Sequence, residues 1–164
     1  MNALRPSPSP AAKPPQALVL ALGHAGLLPF VLLALLCWLV NEQALPYVAQ
    51  ALVAYGALIA AFLGGLHWGV AWLALQAAQG TPAAVEAAHI RRHLGWGIAP
   101  ALLAWPAVLM PAHAALPWLG ALLLVAYAVD RRLLPSAGLG HWLTLRFRLS
   151  AVAAGCCFVA AGAV

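Results

Sequence analysis

The chain has 164 residues, of which 65% are apolar and 7% charged, with a formal net charge of +5. Soluble domains average about 45–50% apolar and about 25% charged residues, so this composition excludes an ordinary soluble globule, and the length leaves room for one bundle and no second domain. The basic residues sit in short segments between apolar stretches and not on one basic face, which directs them toward lipid headgroups and away from nucleic acid.

Residues 1–16 carry Pro6, Pro8, Pro10, Pro14 and Pro15. A segment this rich in proline forms neither helix nor core and is expected to be a disordered cytoplasmic tail. The apolar run that follows is too long for a cleaved signal and is expected to stay as an anchor. The first span covers residues 18–40, roughly 34 Å of helix, with Pro29 kinking it near its middle. Asn41, Glu42, Gln43 and Pro46 form a short turn. The second span covers residues 47–77. The longest loop follows, with a short surface helix over residues 82–93. The third span, residues 94–110, contains Pro100 and Pro106 and is expected to be irregular. The fourth covers residues 115–134 and ends on Asp130, Arg131 and Arg132, whose arginines can snorkel outward. The fifth covers residues 142–164. The predicted fold is therefore all-α: a single integral membrane domain, residues 17–164, of five transmembrane helices.

All eight Lys and Arg residues fall in alternate gaps between these stretches. Arg5 and Lys13 precede the first span, Arg91 and Arg92 precede the third, and Arg131, Arg132, Arg146 and Arg148 flank the fourth gap. Cytoplasmic loops carry the Lys/Arg excess in polytopic proteins. Five spans place every basic residue on one side, with the N-terminus cytoplasmic and the C-terminus outside. A bacterial inner membrane is the expected location, with lipid as the direct partner and other membrane proteins or further copies of the chain as additional candidates.

The densest local signal is AFLGGLHWG, residues 61–69. Ala61, Gly64, Gly65 and Gly69 are small residues that let a neighbouring helix approach closely, and Gly65 and Gly69 form a GxxxG pair. His67 lies within this string. With the orientation above, His67 and His24 share the cytoplasmic half of the bilayer, together with Cys156 and Cys157. An intramembrane ionisable residue is a functional hypothesis by default, and two facing imidazoles could ligate a haem iron or another metal, or relay protons. The alternative is a neutral histidine satisfied by a hydrogen bond to another helix. Asp130 is the one acid expected inside a span and calls for a cation, which Arg146 or Arg148 can supply. Cys37, Cys156 and Cys157 are small packing residues, without a zinc-module spacing. His89, His93, His113 and His141 are assigned to loops and interfaces, with no special role. No Ser/His/Asp set, phosphate loop, HExxH motif or carboxylate pair is present, which leaves hydrolysis and phosphoryl transfer without machinery.

The strings LGHAGLLPF (residues 22–30), YGALIAAFLGGLHWG (55–69), PALLAW (100–105) and LRFRLS (145–150), taken together, resemble an uncharacterised family of small multi-span proteins that includes transmembrane protein 69. Members occur in bacterial inner membranes and, in animals, in association with mitochondria. The resemblance implies a single all-helical membrane domain and makes the His67 string a family feature. It carries no activity, ligand or catalytic residue with it.

The leading expectation from these observations is a non-enzymatic structural, accessory or assembly protein of the membrane. The first alternative is a haem- or metal-binding electron-transfer protein using His24 and His67. The second is a small transporter.

Overall fold

The computed structural model describes residues 16–78 and 84–164. The proline-rich tail expected over residues 1–16 lies almost wholly outside the described residues. Among those described, the regular structure is helical: α1 Gln16–Ala25, α2 Leu28–Leu39, α3 Leu45–Ala77, α4 Ala84–Leu109, α5 Ala112–Leu133 and α6 Leu143–Ala161. Two short 3₁₀ turns, Pro135–Ala137 and Gly140–Trp142, join α5 to α6.

The apolar stretch expected as the first span is split. Pro29 stands in the first turn of α2, where its missing N–H costs nothing. The break leaves the Gly26 carbonyl to accept from the Tyr55 hydroxyl of α3, 2.9 Å away. The turn between α2 and α3 is closed by Asn41, whose side chain accepts from the Ala44 amide at 2.9 Å, the Asx pattern that competes with helix and ends it.

The region read as a surface helix followed by an irregular span is instead one helix, α4, running through both Pro100 and Pro106. Prolines are tolerated in membrane helices that are packed against neighbours, and α4 is held against two of them: Trp118 of α5 donates to the Leu103 carbonyl at 2.8 Å, and Gln50 of α3 donates to the Val108 carbonyl, in the last turn, at 3.1 Å.

Among the described residues, four helical stretches are long and apolar enough to cross a membrane: Ala17–Leu39, Leu45–Ala77, Ala112–Leu133 and Gly140–Ala161. α4 does not match them in composition, because its first half carries His89, Arg91, Arg92 and His93. It packs most extensively along α3, while α5 packs along α6. The interior is built from small residues such as Ala49, Ala60, Ala107, Ala115, Ala154 and Ala160, threaded by Phe30, Leu52, Leu116, Leu119 and Leu123. The outer face carries Leu, Phe and Trp, including Trp38, Phe62, Trp72, Leu102 and Trp105. Small inside and large apolar outside is how helices pack when lipid, not water, surrounds them. These membrane-embedded faces contact the bilayer.

Candidate functional site: a buried histidine, aspartate and arginine chain

α3 buries the face that runs through Ala57, Ala60, Gly64, His67 and Ala71, spaced three and four residues apart. Gly64 brings the next helix close: a Cβ there would run into the Gly97 carbonyl of α4, and a Cβ on Gly97 would run into the Trp68 ring. This approach sets His67 directly against α4. Gly65 and Gly69 lie on the opposite, exposed face, with nothing within 4 Å of a Cβ built on either. The residues of the sequence pattern thus divide, and Gly64 makes the contact with α4.

His67 is fully buried and both ring nitrogens are engaged. Its Nδ1 meets Nδ1 of His93 at 2.9 Å, and its Nε2 meets Oδ1 of Asp130 at 2.8 Å. His93, also fully buried, meets Nε2 of His89 through its own Nε2 at 3.1 Å. His89 and His93 are four residues apart on α4, hence on one face of the helix. His89 Nε2 in turn reaches the Ser136 hydroxyl at 3.3 Å, and that hydroxyl donates to the Leu133 carbonyl at 2.7 Å. On the other side of the carboxylate, Arg146 Nε donates to Asp130 Oδ2 at 2.7 Å and Arg146 Nη1 to Ser150 at 2.8 Å. One continuous set of hydrogen bonds therefore runs from Ser136 to Ser150 through three histidines, a carboxylate and a guanidinium.

The proton assignment follows from counting donors. A carboxylate only accepts, so His67 presents N–H at Nε2 and accepts at Nδ1. His93 then donates from Nδ1 and accepts at Nε2, and His89 donates from Nε2. In this arrangement each ring carries one N–H on the chain, and that of His89 is shared between His93 and the Ser136 hydroxyl. Asp130 and Arg146 balance each other's charge inside an apolar interior.

One end of this chain is open. A groove of about 1050 Å³ lies between the C-terminal part of α3, the start of α4 and the turn after α5, and is lined by His89, His93, Arg92 and Ser136. The Ser136 position depends on the turn around it, which closes on Gly138 in the left-handed region at φ 75°, a conformation that glycine adopts without the Cβ penalty.

The structure brings Asp130 and Arg146 together. Arg148 is exposed. His24 stands on the exposed side of α1, with its Nδ1 on the Leu20 carbonyl at 2.7 Å, and the structure does not bring it to His67. Cys37 and Cys157 are buried and Cys156 is half-buried, all as free thiols. Sequence reasoning missed His89, His93, Ser136 and Ser150. The available signal was the four-residue spacing of His89 and His93, which the expected break between a surface helix and a span at residue 94 concealed. Among the described residues no group of three or more His, Cys, Asp or Glu side chains is arranged to hold a metal ion.

No solved structure matches the chain. Transmembrane protein 69 of Xenopus tropicalis is 40% identical over 109 residues, which is 66% of this chain and 36% of that protein. The chain thus spans about a third of that relative's length. A family model described as a protein of unknown function (DUF3429) matches residues 15–162. That match takes in all six helices and every member of the buried chain, and the protein belongs to the DUF3429 family.

Proposed function

We propose that the protein is a five-span protein of a bacterial inner membrane, N-terminus in the cytoplasm and C-terminus outside, whose buried chain relays protons between the cytoplasmic groove and the Asp130–Arg146 pair. The carrying observation is His67, a fully buried ring joined to a second imidazole on one side and to a carboxylate on the other. An imidazole in that position can accept a proton at one nitrogen and release another from the opposite nitrogen.

The topology is supported by the way the groove gathers the end of α3, the start of α4 and the α5–α6 turn at one end of the bundle. Arg91 and Arg92 adjoin that end on α4, and Arg131 and Arg132 on α5. The basic segments before α4 and after α5 then face one side, as the cytoplasmic bias requires.

The test steps the pH around the purified protein in detergent and follows the Asp130 carboxyl by infrared difference spectroscopy. Wild type is expected to show a rapid carboxyl response, and His67→Gln, which keeps a polar side chain but cannot exchange one proton for another, should slow or abolish it. His141→Gln, at an exposed position outside the chain, should not change it. Equal responses in the wild type and His67→Gln would overturn the relay.

A structural or assembly role is the second reading, favoured by a network in which each histidine is satisfied by protein partners. On that reading His67→Gln alters thermal stability in detergent and leaves the carboxyl response as it is in the wild type.

A further inference from the structure

The guanidinium of Arg146 is the far end of the buried chain, and it is incompletely used. Nε serves Asp130 and Nη1 serves Ser150. Nη2 is buried and has no hydrogen-bond partner. Arg146 as a residue is 8% exposed, so water outside the protein does not substitute for that partner. A buried donor left unsatisfied is costly, more so on a charged group.

Arg146 and Ser150 also line a second cavity, about 160 Å³, whose other walls include Leu22, Gly23, Leu27 and Phe62. Leu22 and Phe62 are among the exposed large apolar residues, so the cleft opens on the lipid-facing side of α1 and α3 and not at an end of the bundle. The cleft is smaller than the usual small-molecule pocket of roughly 300 Å³ or more, so it would seat one polar end of a molecule whose remainder lies in the lipid.

The chemistry of the occupant is narrowed by charge. Arg146 is already balanced by Asp130, so a carboxylate or phosphate would add an uncompensated negative charge in an apolar setting, at high cost. What remains is a neutral acceptor. Nη2 supplies N–H, and the Ser150 hydroxyl, which accepts from Nη1, keeps its own proton to donate. We propose that this cleft binds a lipid-soluble molecule through a neutral carbonyl, seated on Arg146 Nη2 and Ser150, with its apolar body against Leu22, Leu27 and Phe62. It deepens the relay reading, because the carbonyl would sit where the chain of protons ends. The carbonyl could be a quinone ketone or a phospholipid acyl ester; the recognition is the same.

The test is titration of the delipidated full chain in detergent with decylubiquinone and, separately, with dioleoylphosphatidylcholine, followed by native mass spectrometry and by the infrared carbonyl stretch. Saturable one-to-one binding of either probe is expected, with the stretch moved to lower wavenumber by the hydrogen bond. Binding of decylubiquinone alone assigns the ketone, and of the phospholipid alone the ester. Arg146→Lys removes the Nη2 donors but can still pair with Asp130, and should weaken binding roughly tenfold or more, as expected for loss of a hydrogen bond to a charged group. Gly23→Leu fills the cleft from α1, where an added Cβ meets only Leu149 and Leu145 side chains at 3.5 and 3.8 Å, and should weaken it at least as far. No saturable binding of either probe to the wild type, or both variants binding as the wild type does, would overturn the proposal. Binding is read without proton movement, so a failed relay leaves this result standing, and failed binding leaves the His67→Gln test intact.

Discussion

Asp130 and Arg146 are a buried pair, and each is the other's compensation. Removing one partner of such a pair typically costs about 3–5 kcal/mol, whereas replacing both with apolar residues of similar size is often neutral or stabilising. Asp130→Leu is therefore expected to lower the unfolding temperature in detergent sharply, because Arg146 and the His67 N–H lose their acceptor together. The double variant Asp130→Leu with Arg146→Leu should recover most of that loss, and recovery of none of it would show that the pair is not the source of the cost. The residues of this cluster were only partly legible in the sequence. Asp130 with Arg146 followed from one rule, that a carboxylate inside a span calls for a cation. His67 stood out as an ionisable residue in a small-residue string. Its partner was sought in His24 because depth along the helix axis can be counted from the sequence. Facing cannot be counted, and the structure turns His24 outward and His93 inward. The sequence places His93 at a loop or interface, at the end of a surface helix, yet one continuous helix exposes Arg91 and Arg92 and buries the next residue.

At the level of the helices, the decisive contact is that of α3 with α4 at Gly64 and Gly97. A methyl group on Gly64 would meet backbone, which cannot swing away as a side chain can. Gly64→Ala should therefore destabilise the protein by about 1–3 kcal/mol, the usual cost of overpacking, and loosen the His67–His93 contact. Gly65→Ala, on the exposed face, should change stability by less than ~1 kcal/mol. Unfolding of both variants by sodium dodecyl sulfate titration separates them, and equal behaviour would sink the assignment of Gly64 as the contact residue. The GxxxG spacing announced a close approach but could not say which of three neighbouring glycines makes it, since a shift of one residue turns the helix face by about 100°. The prolines misled in a similar way. Pro29 stands in the first turn of α2, after the break at Gly26 and Leu27, whereas Pro100 and Pro106 leave α4 continuous where it packs along α3. The outcome depends on how the neighbouring helices pack, and that is a tertiary fact.

For the molecule as a whole, charge and hydropathy foretold the helical membrane class, while the count of spans turns on α4. Its N-terminal half carries Arg91 and the groove residues His89, Arg92 and His93, and its C-terminal half is apolar. Five spans with an external C-terminus predict that alkaline phosphatase fused after Val164 is active and that green fluorescent protein at the same place is dark. The reverse pattern would require an even number of crossings and would leave α4 lying short of the far surface.

The small-residue interior has a thermal consequence. The large positive heat-capacity change of soluble unfolding, about 12–15 cal/mol/K per residue, comes from apolar surface entering water. Here Leu, Phe and Trp already point outward, and helices that separate within a bilayer or micelle exchange the Ala- and Gly-lined contacts for hydrocarbon, never for water. Dissociation of the bundle in such a medium should therefore leave calorimetric baselines nearly parallel on either side of the transition, and its stability should vary almost linearly with temperature, with no maximum in the physiological range.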